Sequence, residues 1–237
     1  MKFSRPIYIL KQQAKKLSRR EKIPLHQALD RIARREGFGV WSLLAARATE
    51  DQTTSVLYSQ LSPGDLVLQG GRPGQGKTLL GLELVIESMS RGNVSAFFTL
   101  EFTEADLTRC FDILDRDFAS FRDKLILDSS DRISAAHIIR QLASAPASTL
   151  ALVDYLQLLD QKRDNARLMD QVAALKRFAQ ARQLIVVCLS QIDRRYDPEL
   201  KPYPDLTDVR MPNPVDLRLF DKACFLNRGT MQVAALS

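Results

Sequence analysis

The sequence predicts an α/β protein in which a mainly parallel sheet follows a small helical head. From residue 64 onward, short apolar segments alternate with amphipathic ones, which is the pattern of strands and helices in parallel α/β domains. The first 50 residues instead carry three helical patterns. After them comes the polar, aperiodic segment ATEDQTTS, which predicts a linker at residues 51–57, with the second domain covering residues 58–237.

The helices of the head follow from apolar spacing and from residues that start or stop helices. A first helix is predicted around residues 11–22, where Leu10, Ala14 and Leu17 share one face. Pro24 starts a second helix, which Gly37 ends, and a third follows over residues 40–48. These three helices predict a separate small bundle.

The head also carries the positive charge of the chain. Residues 1–50 contain 12 Lys and Arg against 4 Asp and Glu, whereas the whole chain has a net charge of +6. Four cations of the first helix share a face by their spacing: Lys11, Lys15, Arg19 and Lys22. This basic face favours either a sequence-independent contact with nucleic-acid phosphates or an ordinary solvated surface, and a membrane-surface helix is a weaker third interpretation.

Strands and helices alternate in the second domain. Five apolar segments predict parallel strands at 65–70, 94–100, 124–127, 149–155 and 184–189, separated by helices at 77–90, 104–114, 135–142 and 168–182. Because LIVVCL at 184–189 is apolar throughout, that strand is predicted to be buried on both faces. Five prolines between residues 193 and 216 predict a long surface loop, followed by a strand at 223–226 and a hairpin partner near 232–236.

Composition excludes several classes of protein. No apolar run reaches the roughly 18–20 residues of a membrane span, and the start of the chain lacks the apolar core of a signal peptide, so a cytoplasmic protein without a membrane partner is expected. The scattered Cys110, Cys188 and Cys224 predict buried thiols rather than disulfides. His26 and His137, with no paired cysteine, argue against a zinc site.

A phosphate-binding loop is the strongest motif in the chain. Residues 71–78 match G-x-x-x-x-G-K-[ST] in full and lie between a predicted strand and a predicted helix: Gly71, Arg72, Pro73, Gly74, Gln75, Gly76, Lys77 and Thr78. Backbone N–H groups of such a loop surround the phosphates at the positive end of the helix. Lys77 is predicted to bridge the β- and γ-phosphates of ATP, and the Thr78 hydroxyl to bind Mg²⁺.

Three more polar residues stand at predicted strand ends, where parallel sheets present side chains to ligands. Asp154 ends the strand LALVD and is a candidate for the Mg²⁺ shell, through a water molecule. Glu101 follows the strand before it and could orient and deprotonate an attacking water, while Thr103 and Asp106 predict a capping box for the next helix. Gln191 is an amide that can hydrogen-bond a γ-phosphate and report the nucleotide state.

Four segments in order resemble the motifs of DnaB-type replicative helicases, a branch of the RecA-like P-loop NTPases. They are GRPGQGKT, TLEFTEADL, LALVDYLQLL and VVCLSQIDRR, and the resemblance covers residues 58–228. It implies that Lys77 and Thr78 bind phosphate and Mg²⁺, that Glu101 is the catalytic carboxylate, Asp154 the Mg²⁺-linked acid and Gln191 the sensor. It also implies a hexameric ring that binds ATP between subunits and single-stranded DNA in a central pore.

The chain departs from that family at both ends. The basic head stands where the family has a larger helical domain, and its segments LKQQAKKL and ALDRIARREGFGVW resemble a short module at the head of some bacterial proteins labelled as glyoxalase-superfamily, which implies no activity here. Near the family's K-x-R-N-G-type segment, whose basic residues reach a neighbouring subunit's ATP, only Arg228 is found. Whether the chain supplies such an arginine finger is therefore left open.

Cations in two loops are candidates for contacts with single-stranded DNA. They lie after the Asp154 strand and after Gln191: Lys162, Arg163, Arg167, Arg194 and Arg195. They would neutralise phosphates, and Tyr196 would be a platform on which a base stacks. Exposed Lys and Arg side chains are also commonly just solvated, so both interpretations stand.

Two functions follow from the sequence. The first is an ATP-hydrolysing, DnaB-like helicase-type ATPase that acts on single-stranded DNA as a ring-shaped homo-oligomer. The second is a nucleotide-gated switch or accessory protein that binds DNA or a partner and hydrolyses ATP slowly or not at all. The intact Glu101, Asp154 and Gln191 favour the first, and the departures near Arg228 favour the second.

Overall fold

The computed structural model describes residues 7–114, 116–160, 165–197, 199–201, 203–210, 213–227 and 230–236. It divides into two compact units, Met1–Val56 and Leu57–Ser237. None of the described helices combines the length and the apolar character that are needed to cross a membrane. Fold and chemistry are therefore described for each unit in turn.

The first unit contains three helices, α1 (Ile7–Glu21), α2 (Leu25–Arg35) and α3 (Trp41–Ser59), the last of which continues into the second unit. One apolar cluster holds it together, formed by Leu10, Ala14, Leu17, Ala28, Ile32, Ala33 and Leu44. The Trp41 N–H donates a hydrogen bond to the Asp30 carboxylate over 2.8 Å, which satisfies a free N–H group at the start of α3. The apolar spacing of α1 and α2 is thus used to build a small core.

The predicted linker at residues 51–57 is wrong in its conformation. Helix α3 continues without a break through this segment to Ser59. Thr54 is buried, and Leu57 and Tyr58 are buried in a core of the second unit, so tertiary packing stabilises a helix that the polar composition alone does not predict.

The second unit is built on one seven-stranded sheet, and the prediction of an α/β fold with a mainly parallel sheet is confirmed. The strands are β1 (Leu66–Gly71), β2 (Ser95–Thr99), β3 (Leu125–Asp128), β4 (Leu150–Asp154), β5 (Ile185–Gln191), β6 (Lys222–Asn227) and β7 (Thr230–Ala235). Their order is β3-β2-β4-β5-β1-β6-β7. Every neighbouring pair is parallel except β6 and β7, which form the predicted terminal hairpin.

Helices cover both faces of this sheet: α4 (Lys77–Ser90), α5 (Glu104–Ile113), α6 (Ala135–Gln141) and α7 (Leu168–Arg182). Successive strand residues enter opposite cores, as Phe97 and Phe98 do. Residues of α4 and α5 share one core with the strands, and residues of α6 and α7 share the other. Being covered on both sides explains why the central strands are apolar throughout.

The helix after β1 approaches the sheet closely at a glycine. A Cβ atom on Gly81 of α4 would lie 2.9 Å from the methyl groups of Leu152 in β4, which is closer than such atoms pack. Glycine at this position therefore lets α4 lie directly on β4. The first turn of α4 is thereby brought near the carboxyl end of β4, where Asp154 lies.

The cysteines behave as buried thiols. Cys188 and Cys224 lie in the cores of the second unit, and Cys110 is partly buried. Burial raises the pKa of the Cys188 thiol to about 12, so it is uncharged at neutral pH and packs as a small apolar side chain.

Candidate nucleotide-binding site

The loop between β1 and α4 has the backbone geometry of a phosphate-binding loop. Gly74 and Gly76 have φ angles of +76° and +80°, a left-handed conformation that favours glycine. A Cβ on Gly71 would lie 2.8 Å from Cγ of Lys77, so this glycine makes room for the lysine side chain. Within the described chain no side chain caps α4 at Gly76, which leaves the first-turn N–H groups available to an anion.

A buried glutamine, which the sequence analysis missed, joins β1 to the start of α4. Gln69 is fully buried, and its side-chain N–H donates to the Lys77 carbonyl oxygen over 2.7 Å. Its side-chain oxygen has no hydrogen-bond partner among the described residues. The only signal in the sequence is one amide inside an otherwise apolar strand, and its contact fixes the backbone of Lys77.

Thr78 and Asp154 are in direct contact, although they are far apart in sequence. The Thr78 hydroxyl donates a hydrogen bond to the Asp154 carboxylate over 2.8 Å, and Asp154 is only 3% exposed. A hydroxyl and a carboxylate are oxygen ligands of the kind that Mg²⁺ prefers, so these two residues fit a Mg²⁺ ion that accompanies ATP.

Burial and neighbouring charges change the acidity of this cluster. Burial raises the pKa of Asp154 to about 6, and the charge of Glu101 adds to that increase, whereas the Thr78 hydrogen bond and the charge of Lys77 oppose it. Burial also lowers the pKa of Lys77, against the attraction of Asp154 and Glu101. The site thus holds a partly desolvated cation beside two acids, which suits it to bind phosphates together with a metal ion.

Glu101 is held at the carboxyl end of β2 by local hydrogen bonds. Its N–H donates to the Thr99 hydroxyl over 3.1 Å, and the Glu101 side chain is exposed. The predicted capping box is confirmed, because the Thr103 hydroxyl accepts from the Asp106 N–H and the Asp106 carboxylate accepts from the Thr103 N–H. Glu101 therefore lies on a short segment with both ends fixed.

Gln191 lies at the end of β5, in register with Gly71 of the phosphate-binding loop. The Arg210 guanidinium donates to its side-chain oxygen over 3.4 Å, and the Arg210 N–H donates to its backbone oxygen over 2.8 Å. Gln157 in turn donates to the Arg210 carbonyl oxygen over 2.9 Å and to the Ser190 hydroxyl. The segment after β5 is thus fastened back onto the strand end beside the candidate sensor.

Arg210 and Gln157 were missed from the sequence as partners of the segment that ends in Gln191. Gln157 lies within the motif segment LALVDYLQLL, and Arg210 lies outside all four motif segments. The hydrogen bond between Arg210 and Gln191 spans 19 residues of chain and depends on how the loop after β5 folds. Sequence spacing carries no signal for such a contact.

The candidate DNA-contacting cations lie in different environments. Lys162 and Arg163 lie outside the described residues, as does Arg228. Arg167, Arg194 and Arg195 are exposed, and two of them form surface ion pairs, Arg167 with Asp170 over 3.1 Å and Arg195 with Asp193 over 3.0 Å. Tyr196 as a stacking platform is wrong, because its side chain is buried and its hydroxyl donates to the Lys201 carbonyl oxygen over 2.8 Å.

Comparison with known protein families matches residues 54–199, more than half of the chain, to the ATPase family described as KaiC. The chain belongs to the KaiC family of ATPases. A replicative DNA helicase DnaB from Helicobacter pylori is 26% identical over 206 residues, and one from Mycoplasma genitalium is 23% identical over 189 residues. These alignments cover 72% and 65% of this chain, and the chain spans about two fifths of the length of these relatives.

Solved structures of KaiC-like and DnaB-like ATPases share the fold. An ATPase domain solved on its own aligns with a TM-score of 0.54 at 22% identity, over 71% of each chain. A DnaB-like replicative helicase, studied for its interactions with primase, aligns with a TM-score of 0.59 at 18% identity, over 94% of this chain and 65% of its own. A KaiC-like protein from Pyrococcus horikoshii OT3 aligns with a TM-score of 0.52 at 15% identity, over 68% of this chain and 70% of its own.

The prediction of a DnaB-type, RecA-like ATPase domain is therefore confirmed. The likeness of the first 50 residues to a glyoxalase-superfamily module stays a resemblance on sequence segments alone.

The raised pKa of Asp154 predicts that Asp154→Asn stabilises the nucleotide-free, Mg²⁺-free protein. The carboxyl pKa is about 6 in the folded chain and 3.8 as an ordinary aspartate, so the folded state binds more protons between these values and its stability falls as the pH rises. We expect the variant to gain about 1–3 kcal/mol above pH 6 and nothing below about pH 4. Urea unfolding across this pH range measures the gain, and a gain that is independent of pH would contradict the explanation.

Proposed function

We propose that this protein is an ATP-hydrolysing, DnaB-helicase-type ATPase that acts on single-stranded DNA. The observation that carries the proposal is the hydrogen bond between Thr78 and Asp154, which joins the phosphate-binding loop to the acid at the end of β4. Membership of the KaiC ATPase family and the alignment with DnaB helicases support the class of reaction.

The proposed binding of ATP assigns each part of the loop a task. Backbone N–H groups of residues 71–78 surround the β- and γ-phosphates at the start of α4, and Lys77 bridges their oxygens. Thr78 holds Mg²⁺ directly and Asp154 holds it through a water molecule. When bound, Mg²⁺ neutralises charge that develops on the phosphates during transfer.

The proposed hydrolysis relies on positioning. Glu101 orients a water molecule and accepts its proton as the water oxygen bonds to the γ-phosphorus and the bond to the β-phosphate oxygen breaks. Gln191 donates its amide to the γ-phosphate and so distinguishes ATP from ADP. Lys77, partly desolvated, acts on this charge more strongly than an exposed lysine would.

We extend the proposal to DNA and to assembly. The exposed Arg167, Arg194 and Arg195, together with Lys162 and Arg163, neutralise phosphates of a single strand. The DnaB resemblance further suggests a ring, with ATP bound between subunits.

We predict that ATP and Mg²⁺ stabilise a homohexamer. Light scattering with and without ATP and Mg²⁺ measures the mass, and we expect the hexamer to be more populated with both ligands, because nucleotide bound at an interface adds contacts there. Thr78→Ala should assemble less at the same ATP concentration. A mass that is monomeric and insensitive to nucleotide would refute the ring.

The decisive test is the rate of ATP hydrolysis as single-stranded DNA is added at two salt concentrations. We expect a stimulation that weakens at the higher salt, because phosphate contacts release counterions. Lys77→Ala should reduce the rate to background. Glu101→Gln should lower kcat by about 10²–10⁴-fold, since it removes the proton acceptor but keeps a side chain of the same size.

Binding of a fluorescent ATP analogue is the control for these variants. Glu101→Gln should bind it within about twofold of the unmutated chain, as this residue contributes to chemistry rather than affinity. Background hydrolysis by the unmutated chain despite measurable binding would refute the ATPase proposal.

A second candidate function is a nucleotide-gated switch, and the contact between Arg210 and Gln191 favours it. Gln191 cannot use one side-chain conformation both for Arg210 and for a γ-phosphate, so ATP would compete with the loop for this amide. Release of Arg210 would free the segment after β5, which is fastened to the strand end through Arg210 and Gln157. Such a device would report ATP with or without rapid hydrolysis.

We therefore predict that Arg210→Gln abolishes the effect of ATP on the loop. In the unmutated protein, amides of residues 193–208 should exchange hydrogen faster with a non-hydrolysable ATP analogue than with ADP. In the variant, exchange should be fast with both. Arg218→Gln is the matched control, because Arg218 pairs with Asp216 at the surface over 2.8 Å and should leave the difference intact. An undiminished difference in Arg210→Gln would contradict the switch.

A further inference from the structure

We infer that a groove between α1 and α2 in the head binds the phosphates of nucleic acid. The basic groove, as we name it, has a volume of about 590 Å³. Three cations and an amide line it above two apolar side chains: Lys16, Arg20, Arg35, Gln13, Leu17 and Ile32. This inference shares a partner class with the proposed function but depends only on the head.

The cations of the basic groove are poorly neutralised by the protein. Lys16 and Arg35 have no acidic partner among the described residues. Arg20 pairs with Glu21 over 3.1 Å, but Glu21 also pairs with Arg31 over 2.6 Å, so one carboxylate serves two guanidinium groups. All of these residues are exposed to solvent, where an ion pair is weak and readily exchanged for another anion.

The position of the cations favours a chain of phosphates over a single anion. Lys16 and Arg20 lie one turn apart on α1, about 6 Å along the helix axis. Arg35, from the last turn of α2, faces the same groove. A polyanion can place successive phosphates against these three charges and release the counterions that they otherwise hold.

The packing of α1 argues against a membrane as the partner. A membrane-surface helix inserts its apolar face among lipids. In this head, Leu10, Ala14 and Leu17 of α1 are buried in the core with residues of α2 and α3. The cations therefore surround a groove whose apolar floor is already used for folding.

The basic groove differs from the basic face that the sequence periodicity indicates. Lys15 and Lys16 are adjacent, so their side chains point about 100° apart around α1. The groove takes Lys16 and Arg20, whereas Lys11, Lys15 and Arg19 do not line it. The same helix therefore offers a control with an identical change in charge.

The test uses the full chain without nucleotide and measures binding of a short labelled oligothymidylate and of a short duplex at several salt concentrations. The groove variant is Lys16→Gln with Arg20→Gln and Arg35→Gln. We expect it to bind at least about tenfold more weakly, and the slope of log affinity against log salt to fall by about 2 for the single strand, close to 0.7 for each lost phosphate contact.

Two controls accompany the groove variant. The face variant, Lys11→Gln with Lys15→Gln and Arg19→Gln, should keep its affinity within about threefold. A conservative variant, Lys16→Arg with Arg20→Lys and Arg35→Lys, should retain binding and shows that any loss in the groove variant comes from charge and not from unfolding. Equal losses in the groove and face variants, or no loss in the groove variant, would overturn the inference.

Vesicles of phosphatidylserine distinguish the other source of phosphate. Groove-dependent binding to vesicles without groove-dependent binding to either oligonucleotide would also overturn it. Lys77→Ala should bind oligonucleotide as the unmutated chain does in this nucleotide-free assay. Failure of the ATPase proposal and failure of this inference are therefore separable, because the first is measured as hydrolysis and the second as binding without ATP.

Discussion

The contact between Thr78 and Asp154 is the constraint on which the nucleotide site depends, and it is produced by the packing of one helix. Helix α4 leaves β1, but the acid belongs to β4, and β5 lies between these two strands. The helix must therefore cross the sheet, and Gly81 lets its backbone lie against Leu152 of β4. A larger residue at position 81 would move the first turn of α4 away, and with it both Lys77 and Thr78. The motif at residues 71–78 is thus necessary for the site, while the geometry comes from a glycine outside the motif.

The same packing makes the site unfavourable for the empty protein. Asp154 is buried beside Glu101, and this environment disfavours its charged form, while burial disfavours the charged form of Lys77. A core residue at position 154 would stabilise the fold more. These costs are reduced when a nucleotide and Mg²⁺ supply opposite charges, which is the usual relation between stability and function at a site built for ligands. The fold therefore tolerates local instability where it binds.

Sequence reasoning recovered the parts of the structure that are encoded locally. The alternation of apolar segments predicted the sheet and its helices, and residues 71–78 predicted the loop. Gln69, Gln157 and Arg210 were missed because their contacts depend on strand register and on a loop that returns to β5. The linker at 51–57 was wrong because composition reports the average polarity of a segment, whereas burial of Leu57 and Tyr58 depends on what they pack against. Tyr196 was misread for the same reason, since nothing local shows that its hydroxyl has a partner at Lys201.

The two phosphate sites that we propose differ in the physics of recognition. The loop at residues 71–78 uses oriented backbone N–H groups and one partly desolvated lysine, so its attraction acts at short range and is little screened by salt. The basic groove uses exposed side chains, whose attraction acts at longer range and weakens as salt rises. The first arrangement can distinguish one phosphate group from another by geometry, which hydrolysis of ATP requires. The second cannot, but it can hold any sequence of nucleic acid, which is what a protein acting along a strand requires of a contact outside its catalytic domain.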